Sequence, residues 1–493
     1  MTTFDESAGW RQLHPSSMIF TAWKSGMQFL PALVFALLAG NTFLIGAQFF
    51  GAIAVLIALA HAFAYQALYR YQLGNDELVV REGVLSRTVR HVPYHRIQNV
   101  NLVQNLLHRA LGVYRVQLES ASGDKPEAVM PALSAAAVEE LQARVDAVRA
   151  PAGETEDVDD GTPILSLGPG ELVRIGLVSW RGLVVAGAIA GFFFQFGDQL
   201  PIWSSIGERM GDFTEADLGS SWAPALIRVI LGGAAVLVLL TGFSIALAVM
   251  RYYGFTLHRR GPVLRTTFGL LTRVTNTIPT ERIQLITRSQ GLIQRLMGRQ
   301  AVNVETAGQM DHADDSAGLS SLAPIVPEPD SRRILEVAHP DVDWEEPTWI
   351  GLHPRAGTRL ARRRLRILIA VAVAAGVGLS PWALLLMLPA PWIWLSSHRW
   401  ARASAMAITP TAVFYRSGWL ARSLSVVRYR KGQTVSISTS PFDRRWKMAT
   451  LSVDTAGARP MGHRVAVPYL ATEDAEQLQV FLAERLSRSD FRW

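Results

Sequence analysis

The sequence predicts transmembrane helical hairpins combined with three copies of one β-rich module, each module following a pair of hydrophobic segments. Three observations predict this: apolar residues gathered into long runs, an internal repeat at shifts of 186 and 335 positions, and period-two alternation in the polar stretches between the runs.

With 493 residues the chain is too long for one core, and with 49% hydrophobic and 18% charged residues it is poorer in charge than the roughly 25% of soluble domains. Cysteine is absent, which excludes disulfides, thiol redox chemistry and thiolate metal sites. The net charge of +7 comes from arginines flanking the apolar runs, where topology and anionic lipid account for them, so nucleic acid is not expected as a partner. Residues 1–27 are mixed and polar and lead to no small-x-small cleavage site, so the first run reads as a retained anchor.

The runs fall in pairs. Residues 28–68 form a tight hairpin, and 173–250 a second hairpin with a longer connection. The pair at 364–397 is short and carries Pro381, Pro389 and Pro391, so it spans or re-enters the bilayer. Basic residues follow the second pair, Arg259 and Arg260 among them, and precede the third, including Arg362, Arg363 and Arg364. Positive flanks predict a cytoplasmic location for both termini and every polar region, in a multi-pass protein of the cell membrane.

The repeat defines the modules. A shift of 186 lays Gly83 to Arg87 on Gly269 to Arg273, and Pro93-x-x-Arg96-Ile97-Gln98 on Pro279-x-x-Arg282-Ile283-Gln284. A shift of 335 adds Gly418 to Arg422, Lys431 and Gln433. An acidic residue closes a strand in each copy, at Glu119, Glu305 and Asp454. Each copy reads as short strands with one helical turn between them, for example Asn105 to Ala110, and then an amphipathic helix. Ser134 and Thr472 are the expected N-caps of the first and third of these helices. This is a small β-barrel or sandwich capped by a C-terminal helix. The modules occupy 69–150, 251–340 and 398–493, joined by an acidic linker at 151–172 and a basic one at 341–363.

These residues resemble the bacterial pleckstrin-homology (PH) domain membrane proteins of the YdbS and YdbT type. The resemblance rests on the Pro-x-x-Arg-Ile-Gln stretches, on the helical turns ending at Gly112 and Gly298, and on Leu13-His14-Pro15 and Leu352-His353-Pro354 ahead of hairpins. Three modules behind three hairpins match the YdbT-type layout over nearly the whole chain. The resemblance implies PH-like barrels on the cytoplasmic face and brings no activity with it. The third copy departs from the pattern, with Arg428 in place of proline and Gly432 in place of isoleucine.

Arg87, Arg273 and Arg422 share one repeat position, and Gln98, Gln284 and Gln433 another. They are candidates for a phosphate or peptide site, since arginine offers a bidentate fork; the competing reading is structural, an edge salt bridge and a glutamine bonded to backbone. Only the second copy has basic residues in its first turn, so specific lipid head-group recognition is not expected. His91 and His95 lie either side of Pro93 in a strand and turn, which makes a poor metal site. No nucleophile elbow, phosphate loop or paired-carboxylate pocket is present, so neither catalysis nor a cofactor is expected. The expected role is a scaffold or interaction platform whose partners are the bilayer and another membrane protein or a second copy. The alternative is a transporter or lipid-handling protein, against which stand few intramembrane polar groups, chiefly Asn41, Gln48, Arg181 and Arg228.

Overall fold

A computed structural model of the chain describes residues 9–27, 59–83, 86–120, 127–149, 163–179, 222–306, 321–344, 347–378, 385–455 and 464–488, with a few isolated helical positions besides. Most of the first hairpin, most of the 180–221 connection and residues 151–162 of the acidic linker lie outside the described residues.

A two-residue strand β1 (Arg11–Gln12) and the helix Ser17–Met27 come first. The first module then runs β2 (Arg70–Leu73), β3 (Glu77–Glu82) and β4 (Thr88–Pro93), a 3-10 turn at Tyr94–Arg96, and β5 (Ile97–Gln104). The short helix Leu106–Ala110, β6 (Val113–Ser120), β7 (Ala128–Ser134) and the helix Ala135–Arg149 complete it.

The second module repeats this order. It comprises β8 (Leu165–Ser166), β9 (Thr256–Arg260), β10 (Val263–Phe268), β11 (Arg273–Pro279), β12 (Ile283–Gln290), β13 (Arg299–Thr306) and β14 (Ser321–Pro327), closed by the helix Glu328–Ala338. So does the third, with β15 (Trp349–Gly351), β16 (Ala405–Ile408), β17 (Ala412–Ser417), β18 (Arg422–Arg428), β19 (Gly432–Ser438), β20 (Met448–Thr455) and β21 (Arg464–Ala471), closed by the helix Thr472–Arg488. Alternation is the cause: along β10 every second residue, Leu264, Thr266 and Phe268, is buried.

The turn from the first sheet to the second is braced alike in all copies. The backbone N–H of Tyr94, Thr280 and Tyr429 donates to the carbonyl of Asp76, Pro262 and Thr411 at 2.9, 2.8 and 3.0 Å. Their hydroxyls also donate to backbone carbonyls of the preceding hairpin turns, at 3.0, 2.9 and 2.8 Å.

Two features were not expected from the sequence. First, each module takes a strand from before the apolar pair that precedes it in the sequence. Gln12 pairs with Arg70, Ser166 with Thr256 and Gly351 with Ala405, at equivalent register in all three copies. Leu13-His14-Pro15, Leu167-Gly168-Pro169 and Leu352-His353-Pro354 are the corners that turn these strands into the following helices. Second, the sheets of neighbouring modules fuse. β5 pairs with β11 and β12 with β18, giving seven-stranded sheets in the orders β7-β6-β5-β11-β10-β9-β8 and β14-β13-β12-β18-β17-β16-β15.

Among the described residues one helix is long and apolar enough to cross a bilayer, Ile230–Tyr252, the end of the helix Trp222–Tyr252. The helix Pro169–Val178 packs against it at Gly176, where an added Cβ would lie 2.4 Å from the Cα of Ile245. The Ser244 hydroxyl donates to the Gly176 carbonyl at 2.8 Å.

Several boundaries differ from expectation. The chain becomes helical at Pro169 rather than 173, because proline suits the first helical turn. Arg362 and Arg363 lie with Arg364 inside the helix Ala356–Gly378 rather than in a linker, arginine being a good helix former. Its partner Ala390–Ala403 has 14 residues, about 21 Å, short of the roughly 30 Å hydrocarbon core. Thr472 is the first helical residue instead of the cap before it.

Candidate membrane and interaction surfaces

The six repeat-equivalent candidates do not meet in one pocket; two of them, Arg273 and Arg422, mark the module junctions. Arg273 pairs with Gln104 across β11 and β5, and Arg422 with Gln290 across β18 and β12. Gln104 and Gln290 in turn donate to the carbonyls of Val113 and Arg299, both at 3.0 Å. Arg87, the third equivalent arginine, is exposed beside β4, which among the described residues has no preceding module alongside it. Gln284 is buried, 4% exposed, while Gln433 is exposed on β19; Gln98 holds the same position in β5. Of the two described side chains, the buried Gln284 lies on a strand that joins the next module and the exposed Gln433 on one that does not.

Arg428, a departure from the repeat, has a clear place. It is buried at the junction of the second and third modules, where it donates to the carbonyls of Thr280 at 3.0 Å and Ile283 at 3.4 Å and faces Asp341 at 3.5 Å. Lys431 is buried nearby, and burial with the Arg428 charge brings its ammonium down to about 8. Burial and the same arginine hold His339 well below the usual imidazole range.

The junction of the first and second modules is polar in another way. Arg109 donates to the Leu270 carbonyl at 3.1 Å. Asn101 and Asn99 donate to Glu119 at 2.8 and 3.3 Å, and burial raises the Glu119 carboxyl to about 7 against those hydrogen bonds. The recurrent acid at this position was the sequence signal; its two buried asparagine partners were not found from sequence.

Because the folded value lies above the unfolded one, the stability associated with protonated Glu119 is present below about pH 4.5 and lost as pH rises through about 7. Wild type and Glu119→Gln are expected to melt alike near pH 5, with the variant more stable by about 2 kcal/mol near pH 8.5. Melting curves of the detergent-solubilised chain at the two pH values check this; a constant difference would mean that Glu119 is ionised throughout.

One rim of the array is apolar. The short helices of the first two modules expose Leu106, Leu107, Leu292 and Leu296, the last 80% exposed, and Phe442 is exposed at the equivalent place in the third. Leu270 N–H donates to the Met250 carbonyl at the end of the spanning helix, and Arg109 reaches the same loop, so this rim lies level with the helix end. Around the third hairpin arginines cover aromatic rings: Arg366 over Phe442 at 4.5 Å, Arg362 over Trp446 at 5.0 Å and Arg399 over Trp419 at 4.9 Å. Arg364 reaches Ser397 on the partner helix at 3.4 Å, and Arg363 is exposed. Trp392 and Trp394 on the same hairpin are exposed, and arginine with exposed tryptophan is the composition of a bilayer interface. Arg259 and Arg260 lie elsewhere, at the β9–β10 turn remote from the helix end, where Arg259 donates to the Gly261 carbonyl at 3.0 Å.

His91 faces Glu77 at 3.0 Å, and among the described residues no group of three metal-ligating side chains forms.

Comparison with known proteins agrees with the repeat. Residues 29–149, 220–339 and 360–486 match the family model described as bacterial PH domain. The UPF0699 transmembrane protein YdbT of Bacillus subtilis (strain 168) is 22% identical over 488 residues, covering 94% of this chain and 96% of that protein. No solved structure matches.

Proposed function

The chain belongs to the bacterial PH domain family, with three repeats in the YdbT-like arrangement, and from that premise we propose that it is a multi-pass scaffold of the cytoplasmic membrane. Its PH-like modules and both termini face the cytoplasm, and it works by presenting strand edges to protein partners rather than by catalysis. The observation that carries this reading is the fusion of three modules through shared sheets, which turns separate domains into one extended platform beside a spanning helix.

The pre-hairpin strands support the topology. A strand before each hairpin shares a sheet with the strand after it, so each hairpin returns to the side it left, and sheet fusion keeps all three modules on that side. The relative's name, transmembrane protein, supports the location. Ile230–Tyr252 carries no charged residue before Arg251, which gives the transporter reading no polar path along that helix.

A photoreactive residue placed in turn at Gln284 and Gln433 in living cells tests the scaffold reading. Buried Gln284 is expected to crosslink only within the chain, and exposed Gln433 to yield a discrete protein adduct by mass spectrometry. Lipid alone at Gln433 would count against a scaffold.

A further inference from the structure

We propose that the chain assembles head to tail with copies of itself, β19 of one copy pairing with β4 of the next. This deepens the scaffold reading, on which it rests, by naming the partner.

The argument starts from the two internal junctions. In the first, Gln104 pairs with Arg273, Val103 with Val274 and Leu102 with Thr275. In the second, Gln290 pairs with Arg422, Ser289 with Ser423 and Arg288 with Leu424. Under the repeat shifts of 186 and 335 these are the same positions in the same register, used twice. Each junction joins the last three strands of one module to the strands of the next.

Among the described residues, two edges of this kind are left over. β4 ends the four-stranded sheet β1-β2-β3-β4, and β19 ends the three-stranded sheet β19-β20-β21. They are the repeat equivalents of β11 and β18 on one side and of β5 and β12 on the other. Joined, they give a seven-stranded sheet of the composition already present in both internal junctions.

Exposure follows the same logic. Val89 on β4 is 47% exposed, whereas its equivalent Thr275 in the first junction is 9% exposed. Gln433 and Thr434 on β19 are exposed, whereas their equivalents Gln284 and Leu285 are buried. Proteins blunt open edges with charge, proline or bulges, yet β19 reads Gly-Gln-Thr-Val-Ser-Ile-Ser without a charge. Its register shift between Gly432 and Thr434 recurs between Ile97 and Asn99 and between Ile283 and Leu285, in the two strands that do form junctions, so it does not bar pairing. On β4 the side chains of Arg90 and His91 are matched by Glu82 and Glu77 on the adjoining strand, at 3.1 and 3.0 Å.

The register transfers directly. Ile437 should face Val89 of the next copy, and Ser438 should face Thr88. An interface between two different patches is heterologous, so repetition gives a ring or an open row, here confined to the membrane plane.

The native chain has no cysteine, which makes disulfide trapping clean. Full-length chains with different tags are co-expressed as Val89→Cys with Ile437→Cys, and as Thr88→Cys with Ser438→Cys. Two adjacent pairs are used because hydrogen-bonded and non-hydrogen-bonded pairs alternate along an antiparallel ladder. Leu102→Cys/Thr275→Cys and Val103→Cys/Val274→Cys, the internal equivalents, serve as intrachain controls. Oxidation in native membranes is expected to join differently tagged chains through one of the two pairs. A chain carrying both cysteines of that pair is expected to yield a ladder of oligomers.

Ile437→Lys with Val89→Lys in the Thr88→Cys/Ser438→Cys background should abolish the product, and Ile437→Lys with Val89→Glu should restore it, a pattern that misfolding would not give. Controls that crosslink while neither cross-chain pair does, or β4–β4 products matching the β4–β19 product, would overturn the assembly. A foreign protein captured at Gln433 in that case would leave the scaffold reading standing.

Discussion

Gly269→Ala is expected to destabilise the second module by about 3 kcal/mol, through backbone strain and a steric clash together. Gly269 has a φ of +112°, and a Cβ there would stand 1.9 Å from the Thr272 carbonyl oxygen and 2.9 Å from its carbon. Both neighbours are backbone of the turn between β10 and β11, so no rotamer change relieves them. Two further bonds amplify the effect: Gly269 N–H donates to the Tyr253 carbonyl and Leu270 N–H to that of Met250, both at 2.9 Å, fixing the turn to the end of the spanning helix. A lowered melting temperature, with new protease cleavage near residue 270, is the expected result. Gly261→Ala is the comparison: its φ is also positive, at +56°, but no atom lies within 4 Å of the added Cβ, so a smaller loss is expected. Equal losses would show that steric clash adds nothing.

Arg359→Ala is expected to cost about 3–5 kcal/mol, the usual loss when one partner of a buried ion pair is removed. The Arg359 side chain is 8% and that of Asp443 14% exposed, with Nε to Oδ1 at 2.8 Å, and the guanidinium also donates to the Ser440 hydroxyl at 3.3 Å. This pair fastens the third hairpin to the third module, while Asp443 accepts from the Ser440 N–H at 3.2 Å to cap the short helix Pro441–Arg444. Arg359→Ala/Asp443→Ala should lose less than the sum of the single variants in thermal unfolding. Additive losses would mean that the two residues act separately.

The module was legible in the sequence because its signals are local. Alternation and the turn glycines recur at fixed spacing in every copy, and the Pro-x-x-Arg-Ile-Gln stretch in the first two. What escaped reading was pairing between distant segments. β1, β8 and β15 are two or three residues long, too short for periodicity to register, and their partners lie beyond a hairpin. Sheet fusion escaped for another reason: a strand that pairs on both sides and one that pairs on a single side show the same alternation. The candidate arginines and glutamines were found because they recur, but recurrence could not tell a ligand site from a junction. Arg428 drew attention only as a departure, and its role required seeing Thr280, Ile283 and Asp341 around it.

The short strand ahead of each hairpin has a consequence for biogenesis. During synthesis Arg11–Gln12, Leu165–Ser166 and Trp349–Gly351 leave the ribosome before the hairpin and must wait for a partner made after it. On the topology proposed above, a hairpin inserted with one segment across the membrane instead of two would strand the halves of a sheet in different compartments. Completion of each module would then proofread the preceding insertion event, since a chain threaded wrongly would be left with an open, degradable domain.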